Sequence, residues 1–501
     1  MSSHIVSMLS IMRIRLSQRR VVPIMTVSTT FISIVDGAIT TVALPSIARQ
    51  FQMGPAALTA VVVAYPACLG LMIPASAWLL DRFGVRVVLL AALGAFTAAS
   101  ALCGAAPGPD ALIAARAVQG LAAGLLMPAS QTLLFQTFSH TEQVRLSRLL
   151  VIPQQIAPAL APILGGVLAT SLSWRWVFYV NVPFGLAAAL FGLLFLTGTG
   201  DRTAGRLDLP GLLASAGAIG ALMYGACAGP DLGWTRPQVL TALVGGAVLL
   251  ATAVRWELRT AEPALRLGLF RDRLMRDTNV IALLGYVPIM GAMFLTPLFI
   301  QDVRGGSALD SGTSTFTEAF GVLLTMQVVS AVYGRIGPRL IIAGGLTGVT
   351  GVLLLLATSD AHTGLWTFRL QMFLLGLAMG AFFMPTTIAS FTTIDRADIS
   401  QAAMLNTIVR QSANALAPAT VATALVLGSP SGDPHHPPLA AYQHAYLVLA
   451  AVAAAAVLFT LTMPRGRVMA DTATGPRPAT RPTARTGGRR TGGGQDAAAV
   501  Q

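Results

Sequence analysis

The sequence contains no lysine; all 33 of its basic residues are arginine. A Walker A loop places a lysine on nucleotide phosphates and a Schiff-base enzyme needs a lysine amine, so both chemistries are excluded. Cysteine is nearly absent: Cys68, Cys103 and Cys227 each stand alone inside an apolar block. That excludes a disulfide framework or a zinc cluster of cysteines. Charge is scarce as well, at 11% of 501 residues, where soluble domains carry roughly 25%. The hydrophobic residues, 54% of the chain, come in long blocks, which also rules out disordered, collagen-like and coiled-coil classes. What remains is an all-α polytopic membrane protein.

The net charge of +13 gathers at the ends. Residues 1–22 hold Arg13, Arg15, Arg19 and Arg20 with no acid, and the segment 465–501 is rich in arginine, proline, glycine and threonine. Basic tails can bind nucleic acid, but in a membrane chain basic flanks first specify the cytoplasmic side, so no nucleic-acid partner is expected. A transmembrane helix needs about 20 mostly apolar residues. That window gives fourteen spans, near 23–47, 57–80, 86–105, 112–136, 149–170, 175–196, 209–229, 238–255, 278–300, 315–333, 340–358, 366–391, 405–427 and 444–463. The first is too long for a cleaved signal peptide and has Asp36 in its middle. With the N-terminus inside, the outer loops hold only Arg49, Arg175, Arg236 and Arg304. The positive-inside rule is then satisfied with both termini cytoplasmic. The expected location is the plasma (inner) membrane of a bacterium.

An internal repeat underlies the spans. Gln155-Ile-Ala-Pro-Ala-Leu-Ala-Pro162 matches Gln411-Ser-Ala-Asn-Ala-Leu-Ala-Pro418 at an offset of 256. Gly120-Leu-Ala-Ala-Gly124 matches Gly376-Leu-Ala-Met-Gly380 at the same offset, and Arg82-Phe-Gly84-Val-Arg86 matches Arg335-Ile-Gly337-Pro-Arg339 at 253. Spans 1–6 therefore correspond to spans 9–14, with two spans inserted between them. Parallel halves of this kind are one of the repeat designs of secondary transporters. The chain divides into a basic N-terminus (1–22), an N-terminal six-helix bundle (23–200), two inserted helices with a cytoplasmic loop (201–275), a C-terminal six-helix bundle (276–464) and a basic tail (465–501).

Five patches carry a resemblance. They are Asp36-Gly-Ala-Ile-Thr-Thr-Val-Ala-Leu-Pro45 in span 1, Ala77-Trp-Leu-Leu-Asp81-Arg82-Phe-Gly84-Val85-Arg86 between spans 2 and 3, and Arg116-Ala-Val-Gln119-Gly120 in span 4. Ala157-Pro158-Ala-Leu-Ala161-Pro162-Ile-Leu-Gly165-Gly166 lies in span 5, and Trp174-Arg-Trp-Val-Phe-Tyr-Val-Asn181-Val-Pro183 at the start of span 6. Together they resemble the major facilitator superfamily, in its fourteen-span drug:proton antiporter branch. The resemblance implies a major facilitator fold of two six-helix bundles plus two inserted helices, working by alternating access.

Asp36 is the first candidate residue. A lone carboxylate inside a span is costly because desolvation disfavours its charged form, and such a group can exchange a proton. Arg116 stays ionised and needs a partner or a water-filled cavity, unless it snorkels to the membrane face. The resemblance gives these two residues a role in proton coupling, with Gln119 able to hydrogen-bond beside Arg116. On the short loop after span 2, Gly84 permits a tight turn. Asp81 can pair with an arginine or a helix N-terminus across the bundle, so Asp81, Arg82, Gly84 and Arg86 form a candidate gating loop. Ala77 and Val85 depart from the family pattern there.

In span 5, Pro158 and Pro162 bend the helix and Gly165 and Gly166 permit close approach, the remains of an antiporter motif whose leading glycines are Ala157 and Ala161 here. Glu318, near the outer end of span 10 or in the outer loop, is a candidate substrate-binding acid beside Gln119. Arg369 and Arg410 read as structural, the latter near the inner end of span 13. Phe294, Phe299, Phe382 and Phe383 either line a greasy pocket or face lipid. His435 and His436 lie in a Pro-rich loop with only Asp433 nearby, so no metal site is expected.

The sequence thus reads as a proton-coupled exporter of amphipathic small molecules such as drugs or antibiotics, not an enzyme. It needs no cofactor beyond the proton gradient, and its partners are substrate, protons and the lipid bilayer, with a monomer expected. An importer or carrier of a small metabolite is the alternative within the class, and a membrane sensor that does not transport and acts through its tail is the alternative outside it.

Overall fold

The computed structural model describes residues 17–53, 55–139, 171–197, 208–260, 263–429 and 438–464, with isolated positions between 142 and 168. The N-terminal half contains α1 (Gln18–Phe51), α2 (Pro55–Phe83), α3 (Val85–Ala105), α4 (Pro109–Thr137), the one-turn α5 (Trp176–Tyr179) and α6 (Asn181–Phe195). The inserted pair is α7 (Leu209–Leu232) and α8 (Pro237–Glu257). The C-terminal half contains α9 (Arg273–Asp302), α10 (Ala308–Ile336), α11 (Pro338–Ala357), α12 (Leu365–Phe391), α13 (Ile399–Leu427) and α14 (Leu439–Thr460). Among the described residues, the helices of two halves flank an inserted pair.

Eleven of these elements, counting α5 and α6 as one span, are long and apolar enough to cross a membrane. Helices α1 and α13 are not among them. Helix α13 carries Asn406, Arg410, Gln411 and Asn414 among its apolar residues, which lowers its apolarity. The expected fifth span lies outside the described residues, among which eleven helices qualify as spans by length and composition.

The ends of the helices explain where they start. Asp272 accepts the Met275 N–H at 2.8 Å before α9, and Asp208 accepts the Gly211 N–H at 3.0 Å before α7. Ser307 and Asp310 close a reciprocal capping box on α10. Prolines inside α2 (Pro66, Pro74), α4 (Pro128), α9 (Pro288, Pro297), α12 (Pro385) and α13 (Pro418) remove backbone hydrogen bonds. Neighbouring helices make such losses tolerable in a membrane.

Sequence repeats become matched geometry. Gly84 (φ +84°) and Gly337 (φ +81°) each link two helices in a backbone conformation that side chains resist. Two residues later, Arg86 donates to the Leu193 carbonyl at 2.9 Å and Arg339 to the Leu461 carbonyl, each reaching the end of its own bundle's last helix. A Cβ on Gly124 would come within 2.6 Å of the Leu69 carbonyl oxygen, and one on Gly380 within 2.9 Å of the Val322 carbonyl oxygen. Helix α4 thus lies directly on α2, and α12 on α10. Lipid offers little hydrophobic drive between helices, so close backbone approach at small residues holds each bundle.

The bundles meet toward one face, marked by Arg82, Arg86, Arg335 and Arg339 and called here the basic face. Phe135 of α4 stacks on Phe391 of α12 with ring centroids 3.9 Å apart, inside a buried cluster that draws Leu80, Leu133 and Leu134 together with Ile399, Ala402 and Met404. Helix α7 packs on both halves: Met223 fills the notch at Gly70 of α2, and Ile219 and Ala226 meet Ala415 of α13. At the end of α8, the buried Glu257 accepts from the Leu265 N–H at 3.1 Å and Ser215 Oγ at 3.4 Å. The following Arg266 N–H donates to Gln401 Oε1 at 3.2 Å, and the Arg266 side chain pairs with Asp398. The inserted pair is therefore tied to the start of α13 at the basic face.

Candidate functional site

All six described elements of the N-terminal half converge on Asp36. Its carboxylate, midway along α1, is fully buried. Arg116 and Gln119 lie three residues apart on α4, on one face of that helix. Arg116 Nη1 donates to Asp36 Oδ2 at 2.8 Å and to Gln119 Oε1 at 2.7 Å. Gln119 Nε2 donates to Asp36 Oδ1 at 2.7 Å and to Ser100 Oγ on α3 at 2.7 Å. Asn181, the first residue of α6, completes the set with Nδ2 donating to Asp36 Oδ1 at 2.8 Å. The Arg116 guanidinium stands 4.4 Å from the Tyr65 ring centroid on α2 and 5.8 Å from that of Phe178 on α5.

Arg116 therefore points into the bundle instead of snorkelling to a membrane face. Three N–H groups and one full positive charge hold the carboxylate in a buried site. A buried pair of this kind is costly to desolvate and strongly destabilising to break from one side, because the partner is left as an uncompensated charge. Gaining or losing a single proton at Asp36 thus changes the electrostatic balance of six elements at once.

The loop after span 2 also finds its place. Ser400 Oγ, in the first turn of α13, donates to Asp81 at the end of α2. Asp81 thus meets a side chain of the other half, a serine hydroxyl at the start of a helix. Gly84 makes the tight turn, Arg86 caps the last helix, and Arg82 is exposed. Of the antiporter-motif residues, Pro158, Pro162 and Gly166 lie outside the described residues, while Gly165 is buried in a helical stretch. His435, His436, Asp433 and the segment 465–501 also lie outside them.

The comparisons with known proteins agree with this arrangement. The model of the Major Facilitator Superfamily matches residues 26–418. The chain belongs to the Major Facilitator Superfamily. It is 32% identical over 365 residues to multidrug resistance protein Stp of Mycobacterium tuberculosis (strain CDC 1551 / Oshkosh), covering 73% of this chain and 68% of that one. It is 29% identical over 360 residues to multidrug transporter protein MdtP of Bacillus subtilis (strain 168), covering 72% and 66%. The crystal structure of the human organic anion transporter MFSD10 (TETRAN) superposes with a TM-score of 0.62 at 13% identity, covering 89% of this chain and all of that one. That last likeness is one of fold.

In this superfamily member, residues of the second half fall differently from the sequence reading. Glu318 lies inside α10, 3% exposed, where Gly376 brings the α12 backbone against its own; it is not in a loop. Arg369 is near the start of α12, against the Trp366 ring and 3.3 Å from Thr313 Oγ1, a structural placement. Arg410 is not at an inner helix end. It stands eleven residues into α13 and reaches Met127 Sδ on α4 at 3.3 Å. Phe299 and Phe382 are fully buried and Phe294 is 44% exposed, so the four aromatic residues do not act as a set. Asn181, Ser100 and Tyr65 join the site without having been singled out. Asn181 had a signal, as an amide in an otherwise apolar stretch of a family-like motif; Ser100 and Tyr65 had none.

Proposed function

We propose that the chain is a proton-coupled secondary exporter of amphipathic small molecules. The observation that carries this reading is the sealed Asp36–Arg116–Gln119–Asn181 network. Protonation of Asp36 from the outer side removes the charge that balances Arg116 and loosens the network. Deprotonation toward the inside restores it. Substrate occupies the space between an N-terminal bundle, residues 23–200, and a C-terminal bundle, residues 276–464, and moves when they rock.

The basic face is assigned to the cytoplasm by the positive-inside rule, which places both termini there. Asp81, Arg82, Gly84 and Arg86 then form a cytoplasmic gate, closed in this arrangement through Ser400. Pro158, Pro162, Gly165 and Gly166 supply the bend of the antiporter motif, and Glu318 and Gln119 are candidate contacts for substrate. The relatives named for multidrug resistance support export of drug-like molecules.

The test is efflux of ethidium, rhodamine 123 and fluorescein from energised cells, with and without a protonophore, beside Asp36→Asn. Loss of efflux with both treatments is expected. Ala157 and Ala161, in place of the export motif's leading glycines, favour a second reading as an importer, which inward movement of the dyes in vesicles of known orientation would reveal.

A further inference from the structure

The charges inside the membrane region are not evenly answered. Asp36 is taken by Arg116 at 2.8 Å and Asp277 by Arg276 at 3.1 Å. Arg410 is different. Among the described residues it makes no ion pair. The undescribed fifth span cannot supply one, because residues 143–200 contain neither aspartate nor glutamate. What Arg410 does meet is Met127 Sδ at 3.3 Å and the side chain of Tyr286, a thioether and a phenol. A guanidinium carries five N–H donors and a permanent charge, and a thioether is only a weak acceptor.

Its position decides what this means. At 1.5 Å per residue, Arg410 stands about 16 Å into α13 from the basic face, near the middle of a bilayer core about 30 Å thick. It is half-buried and bridges the two halves, with Met127 on α4 and Tyr286 on α9. An ionised side chain at that depth faces a partner or an aqueous cavity, and marks a substrate pathway. Beside it, the Tyr286 ring stacks on Phe383 of α12 at 4.8 Å with only 14° between planes. A planar arginine fork next to a stacked aromatic pair fits a planar aromatic molecule bearing a carboxylate or sulfonate.

We propose that Arg410 binds the anionic group of an aromatic amphipathic substrate in the space between the bundles, with Tyr286 and Phe383 beside its ring system. This deepens the transport reading above and rests on it. The substrate class is that of organic anions rather than lipophilic cations.

Two dyes with the same xanthene core separate the cases: fluorescein, an anion, and rhodamine 123, a cation. Binding of each to the purified full chain in detergent is read by fluorescence anisotropy. Fluorescein is expected to bind more tightly than rhodamine 123. Arg410→Gln is expected to weaken fluorescein binding by at least about tenfold, the size of one lost charge-assisted contact, without weakening rhodamine 123. Arg410→Lys keeps the charge and should recover part of the loss. Retained rhodamine 123 binding in Arg410→Gln shows that the variant is folded, and should that variant not fold, Arg410→Lys still must weaken fluorescein selectively.

Absent fluorescein binding, tighter binding of the cation, or equal loss of both dyes overturns the assignment. If rhodamine 123 moves with the proton gradient but fluorescein does not bind, export survives and the anion site falls. If fluorescein binds through Arg410 but neither dye is moved, the anion site survives and export falls.

Discussion

Ser400 Oγ donates to Asp81, joining the end of α2 to the first turn of α13 across the two halves of the molecule. This contact sits at the face where the aromatic stack of Phe135 and Phe391 also lies. A hydrogen bond to a charged acceptor is worth about 1.5–3 kcal/mol. Ser400→Ala should therefore shift the balance between closed and open basic faces by roughly tenfold or more. Spin labels at Arg82→Cys and Asp395→Cys, in a background without the three native cysteines, report the separation. A longer distance component should grow in Ser400→Ala, and an unchanged distribution would remove this contact from the gate.

The repeated glycines make a second, structural prediction. Gly124→Ala and Gly380→Ala put a methyl group against the backbone of a neighbouring helix, at 2.6 and 2.9 Å from a carbonyl oxygen. Overpacking of this kind costs about 1–3 kcal/mol. Both variants should melt at lower temperature in detergent. Gly94→Ala and Gly344→Ala, where nothing lies within 4 Å of the added atom, should melt at or above the parent. Equal behaviour of the two pairs would mean that these crossings do not hold the bundles.

A third prediction concerns the charge pair itself. Arg116→Gln leaves Asp36 without its cation in a buried site and should cost about 3–5 kcal/mol. The double variant Asp36→Asn/Arg116→Gln removes both charges and should regain most of that stability. Thermal unfolding of the two single variants and the double gives the coupling. Additive losses would show that the pair is not the stabilising unit.

Much of the fold was legible because it is written in long apolar blocks and in exact spacings. The 253- and 256-residue offsets foretold the matched turns at Gly84 and Gly337 and the matched crossings at Gly124 and Gly380. The buried polar site around Asp36 was legible in part. A lone acid and a lone arginine in neighbouring spans have to find partners, so Asp36, Arg116 and Gln119 stood out. Asn181 and Ser100 did not, since which amides and hydroxyls face a buried carboxylate depends on helix rotation. Arg410 was misplaced for a related reason: an estimated span boundary several residues off moved it from mid-membrane to a helix end, where an arginine needs no explanation.

The central claim is that Asp36 carries the proton that drives transport. It is tested most directly in proteoliposomes holding the full chain, with a pH gradient imposed and movement of fluorescein and rhodamine 123 followed together with internal pH. The parent should move dye and protons together, and a protonophore should stop the dye. Asp36→Asn should lose at least about tenfold in gradient-driven dye movement, more than 1.4 kcal/mol of coupling, while still binding the dye. Gradient-driven movement in Asp36→Asn at the parent's rate would contradict the account.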